Sequence, residues 1–191
     1  RQGAYIIWNH PGWPDNKSTF YPVHGELIKA GKIDAYEVYN YMESYPLTFD
    51  WYAQYGIAPM ANTDIHGPVA MDYDCGEGWM RPMTLVFASE KTQEALKEAL
   101  EAKRTLALFQ GNLVGDKEYL SKLVFASLKT EETAGRLSVT NISDITYTMT
   151  LGDDLYIFPA GKTVIISRPE GELTVQNCLW GNGKHLTYGF R

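Results

Sequence analysis

Cysteine is scarce in this 191-residue sequence, which holds only Cys75 and Cys178. Their wide separation matches no metal or redox spacing, so both are expected as free thiols, and they leave the cellular compartment open. Excess positive charge is also lacking. With 17 Lys and Arg against 23 Asp and Glu, the formal net charge is −6. Bulk electrostatics therefore favour neither nucleic acid nor anionic lipid as a partner. No apolar run approaches the length of a membrane span. No internal repeat or low-complexity tract appears. No Ser-His-Asp set or reactive-cysteine motif competes for a catalytic role.

Aromatic residues are plentiful, at 13% with five Trp and thirteen Tyr. They fit an aromatic core as well as a large cleft. The length permits one large domain or two small ones, with a sizeable buried core.

The most informative stretch is Asn62-Thr63-Asp64-Ile65-His66-Gly67. An acid and an imidazole stand two residues apart, after a short apolar run and before Gly67-Pro68. In an extended strand, residues i and i+2 point to one side, so Asp64 and His66 are expected to face one site. A carboxylate oxygen and a neutral imidazole nitrogen are good ligands for zinc, manganese or iron. His10 also follows an apolar run, Ile6-Ile7-Trp8, and leads into Pro11-Gly12. Strand ends running into such turns are where barrel enzymes place their chemistry.

The pattern along the chain predicts two parts. Residues 1–130 alternate strand and helix. The first strand, Ala4 to Trp8, reads as fully buried. A helix from about Val23 to Ala30 follows, stopped by Gly31. Ile33 to Asn40 is the second strand, and a helix through Trp51 and Tyr55 ends at Gly56. A third strand carries Met60 and ends at the Asp-x-His triplet. After a long loop, Gly67 to Pro82, come the strand Thr84–Ala88, a helix capped by Ser89 and running through Lys103, the strand Thr105–Phe109, and a helix from Lys117 to Leu128. Such alternation implies a parallel sheet or barrel. A polar linker, Thr130 to Ala134, leads to residues 135–191. There, short β runs separated by turn residues predict a small antiparallel sandwich.

The segment Trp8-Asn9-His10-Pro11-Gly12-Trp13, the strand Ala35-Tyr36-Glu37-Val38-Tyr39-Asn40 and the triplet Asp64-Ile65-His66 resemble the later motifs of the PHP (polymerase and histidinol phosphatase) family, in order and separation. The resemblance covers roughly residues 4 to 115. It is closest to bacterial members carrying a small C-terminal β domain, and it leaves periplasm and cytoplasm both open. It implies an α/β fold: the later part of a distorted (β/α)7 barrel, followed by an antiparallel β-sandwich-like domain. It also implies hydrolysis of a small-molecule phosphate ester with up to three divalent metal ions, Zn, Mn or Fe. By that resemblance His10 lies near the middle of the metal cluster, Asp64 and His66 serve two different metals, and Glu37 supports the site from a strand end. The family's opening His-x-His and its next ligands have no counterpart here.

Each candidate also has a plainer reading. In that reading His10 caps a turn, Asp64 forms one, and His66 is a satisfied polar group. Glu37, in an apolar strand, needs a partner, and arginine is the commonest. His24 reads as a surface residue, or one reaching a substrate phosphate. Asn9, Asn62 and Thr63 flank the ligands and would orient them. Arg81 is either solvated or paired with a phosphate. Trp8, Trp13, Trp51 and Trp79 read as core or cleft wall, and His185 as part of a hairpin turn. The competing class is a non-catalytic module, with the β domain recognising a glycan or protein.

A half-barrel leaves strand edges open, and proteins avoid open edges. The chain alone is therefore expected to dimerise, to recruit a missing N-terminal half or to aggregate, with incomplete metal sites. Light scattering on residues 1–191 checks this. A stable, fully metallated monomer with normal phosphoesterase turnover would contradict it.

Overall fold

A computed structural model describes residues 3–74 and 80–190. Cys75 and Trp79 lie outside the described residues. The fold is mixed α/β and rich in strand. Three parallel strands organise its first half: β1 (Ile7–Trp8), β2 (Ala35–Asn40) and β4 (Ala58–Asn62), with β2 in the middle. The short β3 (Glu43–Ser44) folds back antiparallel on the end of β2.

Every residue of β2 is buried, as its apolar run requires. β1 is shorter and more open than its sequence implies. It spans two half-buried residues, and Ile6 beside it is 41% exposed. Helix α1 (Pro22–Lys29) connects β1 to β2. Helix α2 (Trp51–Tyr55) ends at Gly56, which takes the left-handed conformation (φ 63°) that closes helices without steric cost.

The sheet continues through side chains where backbone pairing stops. The Thr84 hydroxyl accepts from the Ala61 N–H at 2.9 Å and donates to the Ala61 carbonyl at 3.0 Å. The buried Thr105 hydroxyl donates to the Pro59 carbonyl, in a strand whose proline has no N–H to offer. These contacts curl β4 onto β5 (Met83–Val86) and β6 (Thr105–Phe109) as an open half-barrel.

β5, β6 and β7 (Asn112–Gly115) run antiparallel, against the expectation of a parallel sheet throughout. Two local features decide it. Gln110 and Gly111 join β6 to β7, both at positive φ, and a two-residue connection makes a hairpin. Phe87 donates to the Arg104 carbonyl, so the intervening segment leaves and re-enters at one edge. That segment carries α4 (Gln93–Glu101), capped by the Thr92 hydroxyl rather than Ser89. Helix α5 (Lys117–Ser127) starts at Asp116, whose carboxylate accepts from the N–H groups of Glu118 and Tyr119.

The polar stretch Thr130 to Ala134 is not a linker. Residues Leu128–Thr133 form β8, paired with β9 (Arg136–Asn141) across Ala134 and Gly135, both at positive φ. Next come β10 (Tyr147–Leu151), β11 (Asp154–Phe158), β12 (Thr163–Ser167), β13 (Leu173–Gly181) and β14 (Lys184–Tyr188). β12, β9 and β8 form one sheet. β13 pairs antiparallel with β10 and β14, and its far end pairs parallel with β7, Cys178 against Leu113. One seven-stranded sheet therefore joins strands from before residue 130 with strands from after residue 135.

One core gathers Leu106, Leu113, α5 and the C-terminal strands. A second lies inside the half-barrel, with Tyr36, Val38, Trp51 and Phe109 at its centre and Trp8 packed against it. Burying each such side chain contributes about 1.5–3 kcal/mol. Cys178 is a free thiol in the first core, its pKa pushed up to about 12 by burial. No helix among the described residues is long and apolar enough to cross a membrane.

The C-terminal hairpin also docks on the start of α2. Lys184 Nζ lies 2.7 Å from Asp50, and the Asn182 N–H donates to the same carboxylate. Gly181 allows this approach, because a Cβ there would fall 2.4 Å from Asp50 Oδ1. Gly181→Ala is expected to destabilise the fold by about 1–3 kcal/mol. The penalty should shrink in an Asp50→Ala background, and a double-mutant cycle of denaturation midpoints measures the difference.

Candidate metal centre

The C-terminal ends of β1, β2 and β4 open onto one cleft of about 420 Å³. His10 follows β1 by two residues. Asp64 and His66 follow β4, and all three line the cleft. The Asp-x-His triplet is not strand. β4 stops at Asn62, and Asp64 sits at φ 50°, so alternation along a strand does not orient the pair. His10 is left-handed as well, at φ 30°. Non-glycine residues pay about 1–3 kcal/mol for such backbone, and it concentrates at functional sites.

Neighbouring groups hold the two loops. The Trp13 N–H donates to the His10 carbonyl at 3.0 Å. Gly12 lies against Tyr45, where a Cβ would come within 2.3 Å of the ring. On the other side, the Tyr73 hydroxyl donates to the Thr63 carbonyl at 3.0 Å, pinning the residue before Asp64. Burial, and Tyr41 beside it, push the Tyr73 pKa up to about 12.

Glu37 lies between the loops and is 2% exposed. Its partner is not an arginine. Oε2 accepts from the His10 backbone N–H and from Asn40 Nδ2, and Oε1 accepts from Asn62 Nδ2 at 2.8 Å. A buried acid without partners would cost several kcal/mol, and hydrogen bonds to a carboxylate each return about 1.5–3 kcal/mol. Three donors offset the burial.

Asn40, Tyr41, Glu43 and Tyr45 line the same cleft, and the sequence does not single them out. The β2–β3 turn that brings Glu43 back lacks the Asn-Gly or Asp-Gly signal of a tight hairpin. Tyr45 donates to Glu43 Oε2 at 2.6 Å. Burial and that hydrogen bond raise its pKa. Trp13 also lines the cleft, whereas Trp8 and Trp51 meet at 4.8 Å in the core.

The other predicted residues fall elsewhere. Asn9 and Arg81 are exposed and do not line this cleft. His24 belongs to α1. Its Nδ1 accepts from the Tyr21 N–H at 3.1 Å, and its ring packs 3.9 Å from that of Trp8. His185 follows the β13–β14 turn.

No protein-family model matches the chain, and neither does any curated protein. Among solved structures it is similar to a two-domain protein of Bacteroides vulgatus ATCC 8482 containing a predicted PHP-like metal-dependent phosphoesterase. The TM-score is 0.90 at 28% sequence identity, over 99% of this chain and 62% of that one. The likeness supports a PHP-like relationship. This chain spans less than two thirds of that protein's length.

The cleft has the donor chemistry of a cation site. Two imidazoles and the carboxylates of Asp64 and Glu43 line it, and no Lys or Arg does among the described residues. Histidine and carboxylate ligands suit zinc, manganese and iron. Among the described residues, however, no three His, Cys, Asp or Glu side chains are grouped closely enough to enclose one ion. The residues fit metal as a partial ligand set.

Burial lowers the His24 pKa, so the folded protein favours the neutral ring that accepts from Tyr21. Its contribution to stability is full above the ordinary value of about 6.5 and is lost as pH falls through the lowered folded value. His24→Gln keeps an acceptor without titrating. The melting-temperature advantage of the native protein over this variant should shrink between pH 7.5 and 5. A constant or growing advantage would count against this role.

Proposed function

We propose that the chain contributes His10, Asp64 and His66 to the metal cluster of a phosphoesterase acting on a small-molecule phosphate ester. The observation that carries the reading is their convergence on one cleft at the ends of three adjacent parallel strands, with no Lys or Arg among the described lining residues. The 28% identical neighbour, named a predicted PHP-like metal-dependent phosphoesterase, adds support. In this reading residues 1–130 are the later share of a distorted seven-stranded barrel, and residues 135–191 a β unit attached to it. The remaining ligands come from chain outside these residues or from a second copy.

Divalent ions held there supply Lewis acidity toward phosphate oxygens and a nucleophile at neutral pH. The imidazoles of His10 and His66 and the Asp64 carboxylate hold the ions. Trp13 and Tyr41 wall the cleft. Among the described residues the lining holds no Lys or Arg, so bound ions would supply the positive charge toward an anionic substrate.

Alanine at His10, Asp64 or His66 should weaken zinc or manganese binding by tenfold or more in calorimetric titration, with little change in melting temperature, because all three side chains are exposed. Hydrolysis of p-nitrophenyl phosphate by the intact protein should stop on chelation and return with metal. Unchanged metal affinity in all three variants would remove the basis of the proposal.

A further inference from the structure

We infer that Glu37 is a positioning residue that sets the distance between the His10 loop and the Asp64–His66 loop. Both of its oxygens are engaged, each toward a different loop. Oε2 takes the His10 N–H, the backbone group of the proposed ligand itself. Oε1 takes Asn62 Nδ2, two residues before Asp64. Asn62 is tied in further, since its carbonyl accepts the Tyr41 N–H at 3.1 Å. Asn40 Nδ2 fills a second position on Oε2. The carboxylate is buried and does not line the cleft, so it acts through its neighbours and not as a ligand.

The backbone around Glu37 fits that task. The β2–β4 register shifts between Glu37 and Tyr39, placing Val38 as an extra residue beside the site. Such bulges re-aim a side chain. His10 holds a left-handed backbone that few non-glycine residues adopt without help. A carboxylate facing its N–H supplies that help.

A carboxylate that merely fills space would affect stability alone. A positioning residue affects two further quantities: exchange of the His10 amide hydrogen and the affinity for metal. The first needs no metal, and the second rests on the metal reading above. In the metal-free intact protein, Glu37→Ala should raise His10 amide exchange by at least tenfold. It should also lower zinc affinity by about ten- to a hundredfold, the range for residues that orient ligands. Glu37→Gln keeps the shape and one acceptor oxygen, and a rotated Asn62 amide can accept from its NH₂. Glu37→Gln should therefore fall between Glu37→Ala and the native protein on both scales, and it decides the question if Glu37→Ala does not fold.

The inference is overturned if folded Glu37→Gln and Glu37→Ala keep native amide exchange, or if they lower the melting temperature while zinc affinity per folded molecule stays native. His10→Ala and Asp64→Ala serve as controls. Should they leave zinc affinity unchanged, the metal reading fails, and His10 amide exchange alone decides the role of Glu37.

Discussion

The hydrogen bonds converging on the Glu37 carboxylate are the constraint on which the cleft depends. A buried acid must be satisfied, and the groups that satisfy it here belong to three strands: the His10 N–H after β1, Asn40 at the end of β2 and Asn62 at the end of β4. A cost of burial thereby becomes a geometric bond between loops that otherwise share no backbone pairing. Burial of the Glu37 carboxylate strengthens each contact, because the lower local dielectric screens it less than bulk water would. The arrangement also explains why β2 can be buried along its whole length while carrying a glutamate.

Around that point the molecule is tied together twice more. Thr84 and Thr105 replace missing ladder bonds and close the curl of the half-barrel. β13 then runs from the C-terminal strands into β7, and Leu179 on it packs against the aromatic core beneath the cleft. Asp50, at the start of α2, receives Lys184 and the Asn182 N–H from the same hairpin. The C-terminal strands thus support the wall on which the cleft is built, through hydrogen bonds and packing more than through charge. Asp50 is the better sheltered partner of its ion pair, so that pair is less screened than the surface pairs elsewhere.

The chemistry of the cleft follows from what lines it. Two imidazoles and two carboxylates line it, with no Lys or Arg among the described lining residues, which is donor chemistry suited to cations. Of the aromatic walls, Trp13 is mostly exposed and Tyr41 partly so, in contrast to the packed Trp8 and Trp51. Four similar residues in one sequence region thus divide between core and cleft.

Local sequence determined a good deal by itself. The apolar run Ala35–Val38 made β2 a buried strand, the charged and alanine-rich stretch around Ala95 and Ala99 made a helix, and His10, Asp64 and His66 were recognisable as candidate ligands by residue type and separation. Tertiary structure decided what local pattern does not encode. The direction of β6 and β7 was set by a two-residue turn. The polar stretch after Leu128 became a strand because β9 lay across a tight turn from it. His24 became a cap because Trp8 and the Tyr21 N–H stood beside it. Two of the three partners of Glu37 come from segments 25 and 27 residues away. Only the fold brings such distant donors to one carboxylate, because a buried charge selects whatever polar groups packing leaves within reach, and sequence separation has no part in that choice.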